Sequence, residues 1–338
     1  MKKTFIVLAI ILQLMVLAYM AGEREFILRK GTVIHLRTAP IDPRDMFRGD
    51  YVRLNYEISR LPVNMIKSAD GVDEIKKGAK IYTSLKEGPN GLYELVNADL
   101  QKPKDGLYLS GRIPYPYRKP QVGNPIWVNY GIEAFFVEQG KGRKIEKRRG
   151  SRTKVQVPLE MEIAIGPNGK AVIKGYRWSR LGIGLVWLRN PPRDPEDTEA
   201  PQSETFQLTL ANASDEPLAL VNLPDYCSFS LESAPWAKKS WSLTHNPCED
   251  IFPSDFDVVI LAPQQEKKFT FDFSTERWLV KGNGNGIVKQ IGTLDRTEQF
   301  RIVYRPPNEK QSRYLSQRDL IWHGYLSSRV FHGRGQID

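Results

Sequence analysis

Cysteine and histidine are scarce in this sequence, since its 338 residues include only two cysteines and four histidines. In an oxidising compartment Cys227 and Cys248 can pair and close a loop, which contributes about 3 kcal/mol to stability. A metal site that adds His245 is the alternative, but the other histidines are scattered and match no ligand spacing. We predict a disulfide between the two cysteines and no metal site; two reduced, buried cysteines are a further alternative.

Sequence signatures of cofactor-dependent chemistry are also missing. The chain has no P-loop, no glycine-rich dinucleotide fingerprint and no H-E-x-x-H motif. We therefore predict no cofactor and no catalytic residue.

A net charge of +10 would fit a nucleic-acid-binding protein, but the charge is concentrated in one place. Residues 141–154 carry eight basic side chains and one acid, a difference of +7, and no aromatic residue. Nucleic-acid-binding surfaces usually spread their charge and interleave aromatic rings. We predict no nucleic-acid partner and interpret this run as a solvated hairpin tip, with contact to anionic lipid or an acidic partner as the alternative.

The first 22 residues start with Met and two lysines and continue as an apolar run over residues 5–22. Eighteen helical residues span about 27 Å, which is just enough for a bilayer core. We predict an uncleaved membrane anchor; a signal peptide cleaved after Ala18 or Ala21 is the alternative. Either way the lysines stay in the cytoplasm. The expected location is the inner membrane, with a single span and a periplasmic body.

The 23 prolines and 26 glycines are scattered, which favours many short elements joined by turns, and so a mainly β protein. The sequence GPNG occurs at 88–91 and again at 166–169, and each copy predicts a hairpin turn. Apolar and polar residues alternate over 51–58. This period of two predicts a half-buried strand that begins at Tyr51.

Residues 189–204 are rich in proline and acids, which is typical of a linker. We therefore assign residues 23–188 to a β-rich domain and residues 205–338 to an immunoglobulin-like β-sandwich, where strands and turns follow one another at sandwich spacing. The apolar segment 181–188 is too short to cross a membrane and predicts a buried strand.

Several sequence blocks resemble one family. Residues 49–56 read GDYVRLNY, and LSGRI at 109–113 and VNYGIEAFFVEQGKGRKIE at 128–146 follow in order. With the N-terminal anchor, these blocks resemble the GDYXXLXY family of bacterial membrane-anchored proteins over roughly residues 1–180. The resemblance implies no particular activity. It implies a multi-pass protein of the same membrane as partner, and it does not extend to the C-terminal sandwich.

Two interpretations of the signature remain open. In the structural one, Gly49 takes a positive φ and the aspartates around it cap a turn that leads into the strand. In the functional one these side chains face a shared groove or partner. Tyr51 and Tyr56 point to opposite faces of the strand, so at most one of them belongs to such a site. The binding candidates are Asp42, Asp45, Arg48, Gly49, Asp50, Tyr51, Tyr56, Tyr130, Gly131 and Glu133.

We expect a membrane-anchored accessory protein that docks on a membrane partner without catalysis. A hydrolase is the first alternative, with the acids of segments 42–50 and 133–138 as its working groups. A glycan or ligand sensor is the second, and it would use exposed rings such as Trp236 and Trp241.

Overall fold

The computed structural model describes residues 2–38, 51–67, 74–88, 91–120, 124–139, 141–150, 155–188, 205–234, 237, 241–244, 248, 251–282, 287–295 and 298–332. Over these residues the protein is mainly β, with one long N-terminal helix and many small antiparallel sheets. The predicted fold class is therefore confirmed.

The N-terminal helix α1 (Lys2–Lys30) continues well beyond the apolar run. Its apolar part is fully exposed, and by length and composition it is able to cross a membrane. The last turns of α1 instead contact the β structure. Ile27 is buried, and Gly31 donates a backbone hydrogen bond to the Ile27 carbonyl before the first strand begins.

The described residues of the first half form five small sheets, in the orders β1-β11-β12, β6-β5-β7, β10-β2, β3-β9 and β4-β8. Both hairpins predicted from GPNG are confirmed, because β5 pairs with β6 and β11 pairs with β12. The strands are β1 (Thr32–Arg37), β2 (Tyr51–Arg53), β3 (Arg60–Leu61), β4 (Glu74–Ile75), β5 (Lys80–Glu87), β6 (Tyr93–Asp99), β7 (Tyr108–Arg112), β8 (Tyr117–Arg118), β9 (Ile126–Trp127), β10 (Ala134–Phe136), β11 (Leu159–Ile165) and β12 (Ala171–Trp178).

One apolar cluster joins these sheets into a core. It includes Ile34, Met161 and Ile163, which come from β1 and β11, and Ile81 of β5. The burial pattern predicted for residues 51–58 is also confirmed, since Val52, Leu54, Tyr56 and Ile58 are buried whereas Arg53 is exposed. The strand itself is shorter than predicted: β2 ends at Arg53, and Glu57–Ser59 form a 3₁₀ helix.

The basic run does not form a hairpin tip, and that interpretation was wrong. Residues Lys141–Arg149 form helix α2. Lysine, arginine and glutamate lose little rotamer freedom in a helix, so this composition favours one. Ile145 is buried in the core, and the Arg148 guanidinium lies 5.3 Å from the centre of the Trp178 ring. The helix is thus packed against the β structure.

The second half is a β-sandwich, because aromatic side chains from different sheets meet in one core. Phe229 of β16 packs against Phe269 and Phe271 of β19, with ring centres 4.8 and 5.3 Å apart. A short helix α3 (Glu309–Ser312) follows β22. The strands are β13 (Leu181–Trp187), β14 (Thr205–Asn212), β15 (Leu218–Val221), β16 (Phe229–Ser233), β17 (Trp241–Leu243), β18 (Val258–Leu261), β19 (Glu266–Asp272), β20 (Leu279–Gly282), β21 (Val288–Gln290), β22 (Gln299–Tyr304), β23 (Leu326–Ser327) and β24 (Phe331–His332).

Strand β13 precedes the predicted linker in sequence but is part of the sandwich. It pairs along its whole length with β14, and Leu181, Ile183 and Leu185 lie in the C-terminal core. The sandwich therefore takes one strand from the range 23–188 that we assigned to the first domain. Residues 189–204 themselves lie outside the described residues.

A buried polar network, Arg37, Glu57, Glu160 and Tyr325, connects the two halves. The Arg37 guanidinium donates to the Tyr325 carbonyl at 2.5 Å and to the Glu160 carboxylate at 3.2 Å. The Tyr325 hydroxyl in turn donates to the Glu57 carboxylate at 3.0 Å. We call these four residues the junction network.

Candidate functional site

Half of the predicted binding residues fall outside the described part of the chain. These are Asp42, Asp45, Arg48, Gly49 and Asp50. The strand after them begins at Tyr51, as its alternation predicts, and pairs antiparallel with β10, where Tyr51 is opposite Phe136. The signature thus leads into a two-stranded sheet.

Tyr56 is a core residue. Its side chain is buried, and its hydroxyl donates a hydrogen bond to the Ile132 carbonyl at 2.8 Å. Burial, followed by the charge of Glu133, raises the pKa of Tyr56 well above its ordinary value. The tyrosine that closes the signature therefore stays neutral and stabilises the fold, and it is not available to a ligand.

The loop Tyr130-Gly131-Ile132-Glu133 is organised by its own glutamate. The Glu133 carboxylate accepts hydrogen bonds from the backbone N–H of Tyr130 and, at 2.9 Å, from that of Gly131. Gly131 has φ = 82°, a region that side chains other than glycine rarely adopt. This loop needs both the glycine and the acid to keep its shape.

The Tyr130 hydroxyl connects this loop to two other segments. It donates to the Ile58 carbonyl at 2.9 Å and shares a 2.8 Å hydrogen bond with the Thr83 hydroxyl. Burial raises the pKa of Tyr130 far above its ordinary value, so the phenol is neutral. The ring is packed in the core, and Tyr130 also lines the surface groove described below.

The structure brings the five described candidates together in one corner of the first domain. The Leu54 N–H, two residues before Tyr56, donates to the Glu133 carbonyl at 2.7 Å, and Val52 pairs with Phe135. Sequence blocks about 75 positions apart thus form one structural unit.

A groove of about 430 Å³ opens beside this corner. Its walls come from β5, β7, the segment after β6, the Tyr130 loop and the turn between β11 and β12. Two predicted residues, Tyr130 and Gly131, line it, and Glu133 does not. The lining residues are Lys80, Tyr82, Lys102, Ser110, Gly111, Arg112, Asn129, Tyr130, Gly131, Asn168 and Lys170.

The four cations of this groove were missed by sequence reasoning. Lys80, Lys102, Arg112 and Lys170 come from four separate segments, and none belongs to the basic run at 141–154 that stands out in the sequence. In the sequence these cations lie near or within the two hairpins and the LSGRI block. That position does not show that the four side chains come together in one groove.

Comparison with known protein families finds a similarity in the first half of the chain. Residues 13–175 match the GDYXXLXY protein family. The resemblance seen in residues 49–56 and in the two later blocks is thereby confirmed. No curated protein and no solved structure matches the chain.

Within the GDYXXLXY region, the acids that a hydrolase would use at 133–138 have structural partners. Glu133 holds its own loop, and the exposed Glu138 forms an ion pair with Lys141 at 2.8 Å. The remaining acids of that hypothesis, at 42–50, lie outside the described residues.

Trp241 does not support the sensor hypothesis, because its ring is buried in the sandwich core. Its indole N–H donates to the Glu298 carboxylate at 3.0 Å. Trp236, the other ring proposed for this role, lies outside the described residues.

Cys227 and Cys248 form a disulfide bond in the sandwich. Their sulfur atoms are therefore not thiolate ligands for a metal. Among the described residues, no group of three or more His, Cys, Asp or Glu side chains is placed to hold a metal ion.

Proposed function

We propose that this protein is a membrane-anchored accessory protein that docks on a multi-pass protein of the same inner membrane and has no catalytic role of its own. The observation that carries the proposal is the way α1 joins the β domain. A single residue, Gly31, separates the apolar helix from β1, so the anchor continues directly into the fold.

Side-chain contacts fix this joint. The Glu23 carboxylate accepts from Lys170 Nζ at 2.6 Å, and Ile27 is buried against the turn between β11 and β12. A Cβ at Gly166 would lie 2.8 Å from Ile27 Cγ1, which shows how closely helix and turn approach. If α1 spans the bilayer, these contacts would hold the β domain close to the membrane surface. Preorganisation of this kind favours binding to a partner in the same membrane.

An exposed aromatic side chain beside the signature supports a docking surface there. Phe136 is 75% exposed and lies opposite Tyr51 in the sheet of β2 and β10. Large exposed aromatic residues are enriched at the centres of protein interfaces. We therefore propose that the docking surface includes Phe136, in the sheet of β2 and β10.

The joint also favours retention of α1 as an anchor over its removal as a signal peptide. The helix runs unbroken past Ala18 and Ala21, the two candidate cleavage positions, and continues to Lys30. The lysines at its start would remain in the cytoplasm and the β domains would be exported. A disulfide between Cys227 and Cys248 fits an oxidising compartment such as the periplasm.

Site-specific photo-crosslinking in the native membrane tests this proposal. A photoreactive phenylalanine analogue replaces Phe136 in the full-length protein, and the matched control carries it at Tyr115, which is 62% exposed. We expect position 136 to crosslink to one multi-pass membrane protein and position 115 to give no such product. Equal products at both positions, or none at position 136 in a folded and inserted protein, would contradict the proposal.

A further inference from the structure

The groove beside the Tyr130 loop has the composition of an anion site. Four of its lining residues are cations, namely Lys80, Lys102, Arg112 and Lys170, and none of its described lining residues carries a carboxylate. We propose that this groove binds a phosphate group, and that a phospholipid headgroup at the membrane surface supplies the phosphate.

Two of these cations form a pair that is expected to destabilise the sheet. Lys80 of β5 and Arg112 of β7 are directly opposite each other in the antiparallel register. Like charges in such a pair repel each other and destabilise the sheet. An anion bound between Lys80 and Arg112 would attract both side chains and offset their repulsion. The arrangement therefore supports a binding site for an anion.

Neighbouring groups position Lys80, Lys102 and Arg112 without neutralising them. Arg112 Nη1 donates to the Gly78 carbonyl at 3.1 Å, and Lys102 Nζ lies 5.8 Å from the centre of the Tyr108 ring. Among the described residues, Lys80, Lys102 and Arg112 form no ion pair with a carboxylate. Their charges are therefore directed to the groove and to solvent.

Neutral donors complete the lining. Ser110, Asn129 and Asn168 carry hydroxyl and amide groups that can donate to phosphate oxygens. Gly111 also lines the groove, and it packs so closely that an added Cβ would lie 2.3 Å from Val128 Cγ1. This mixture of several cations, a few neutral donors and no acid suits a phosphate better than a sugar hydroxyl or an apolar ligand.

The fourth cation places the groove at headgroup height. Lys170 pairs with Glu23, the first charged residue after the apolar run of α1. If α1 spans the bilayer, Glu23 lies where the hydrocarbon core ends and the phosphate layer begins. The placement at the lipid surface rests on the anchor of the proposed function, whereas the phosphate chemistry rests on the groove alone.

Binding to the purified full-length protein in detergent tests the proposal. Short-chain phosphatidylglycerol and inorganic phosphate are titrated separately, and bound lipid is counted by native mass spectrometry. The test variant is Lys80→Gln combined with Arg112→Gln. The matched control is Lys267→Gln combined with Lys268→Gln, which removes the same charge from exposed positions of β19.

We expect the wild type and the control to bind the lipid, and the test variant to bind it about tenfold more weakly or worse, because two charge-assisted contacts are lost. Added salt should weaken binding to the wild type. The test variant should unfold at the same temperature or higher, since its like-charge pair is gone. If the test variant does not fold, the single variant Lys102→Gln is used instead, because Lys102 lies in the exposed segment after β6.

Three results would overturn the proposal in whole or in part. Unchanged lipid binding by the test variant would remove the groove as the site. If diacylglycerol of the same chain length, which has no phosphate, binds as well as phosphatidylglycerol, the groove does not recognise phosphate. If inorganic phosphate binds as tightly as the lipid, the groove is still an anion site, but the claim that a lipid supplies the phosphate is refuted. None of these results depends on a protein partner, so they are separate from the crosslinking test.

Discussion

Replacement of Arg37 by methionine tests whether the junction network stabilises the fold. The Arg37 side chain is 5% exposed and its guanidinium lies 4.7 Å over the Tyr325 ring, in addition to its hydrogen bonds. Burial lowers the pKa of Arg37, but the negative charges of Glu57 and Glu160 outweigh this effect and raise the pKa above its ordinary value. Arg37 is therefore a buried charge with charged partners.

The expected loss in the free energy of unfolding depends on the contacts that Glu160 keeps after the substitution. Removal of one partner of a buried ion pair usually costs roughly 3–5 kcal/mol. Glu160 would still accept from Arg177 Nε at 2.7 Å, and the Arg177 side chain is 41% exposed. We therefore expect Arg37→Met to lower the free energy of unfolding by about 3 kcal/mol, the lower end of that range.

Urea unfolding of the full-length protein in detergent, followed by near-ultraviolet circular dichroism, measures the loss. The double variant Arg37→Met with Glu160→Gln should be more stable than the single variant, because it no longer buries an underpaired carboxylate. A loss below about 1 kcal/mol for the single variant, or a double variant that loses the sum of both single losses, would refute this reasoning.

Three further predictions concern single features. Cys227→Ser should lower the free energy of unfolding by about 3 kcal/mol relative to the disulfide with Cys248, and a reducing agent should then have no further effect on this variant. Gly131→Ala should cost about 1 kcal/mol or more in urea unfolding, because alanine is strained at φ = 82°. Burial raises the pKa of Glu232, but Arg301 in particular outweighs burial and holds it below the ordinary 4.5. This carboxylate therefore contributes stability above pH 4.5 that is lost as the pH falls through its folded-state value. Glu232→Gln should reduce that acid-dependent loss, as measured by unfolding at a series of pH values.

Local patterns predict the local structure well in this chain. The GPNG turns place β5, β6, β11 and β12, because a tight turn brings neighbouring strands into pairing. The alternation after Tyr51 predicts which side chains are buried, although the strand itself ends at Arg53. The apolar run likewise predicts α1. All of these signals lie within a few residues of the structure that they specify.

Long-range arrangements could not be predicted in the same way. Lys80 and Arg112 are 32 positions apart in sequence and become neighbours only through the pairing of β5 with β7. The apolar segment 181–188 predicts a buried strand, but nothing in it shows that β13 pairs with β14 across residues 189–204. The basic run shows a different limit, because its charge suggests solvent exposure while Ile145 anchors it as a helix.

The central claim is that this protein is an accessory subunit of a membrane complex. Affinity purification of the tagged full-length protein from its native membrane in mild detergent, followed by mass spectrometry, tests this claim most directly. We predict a near-stoichiometric multi-pass partner that is lost when Asp50 is replaced by alanine. Recovery of the folded, anchored protein without any such partner would contradict it.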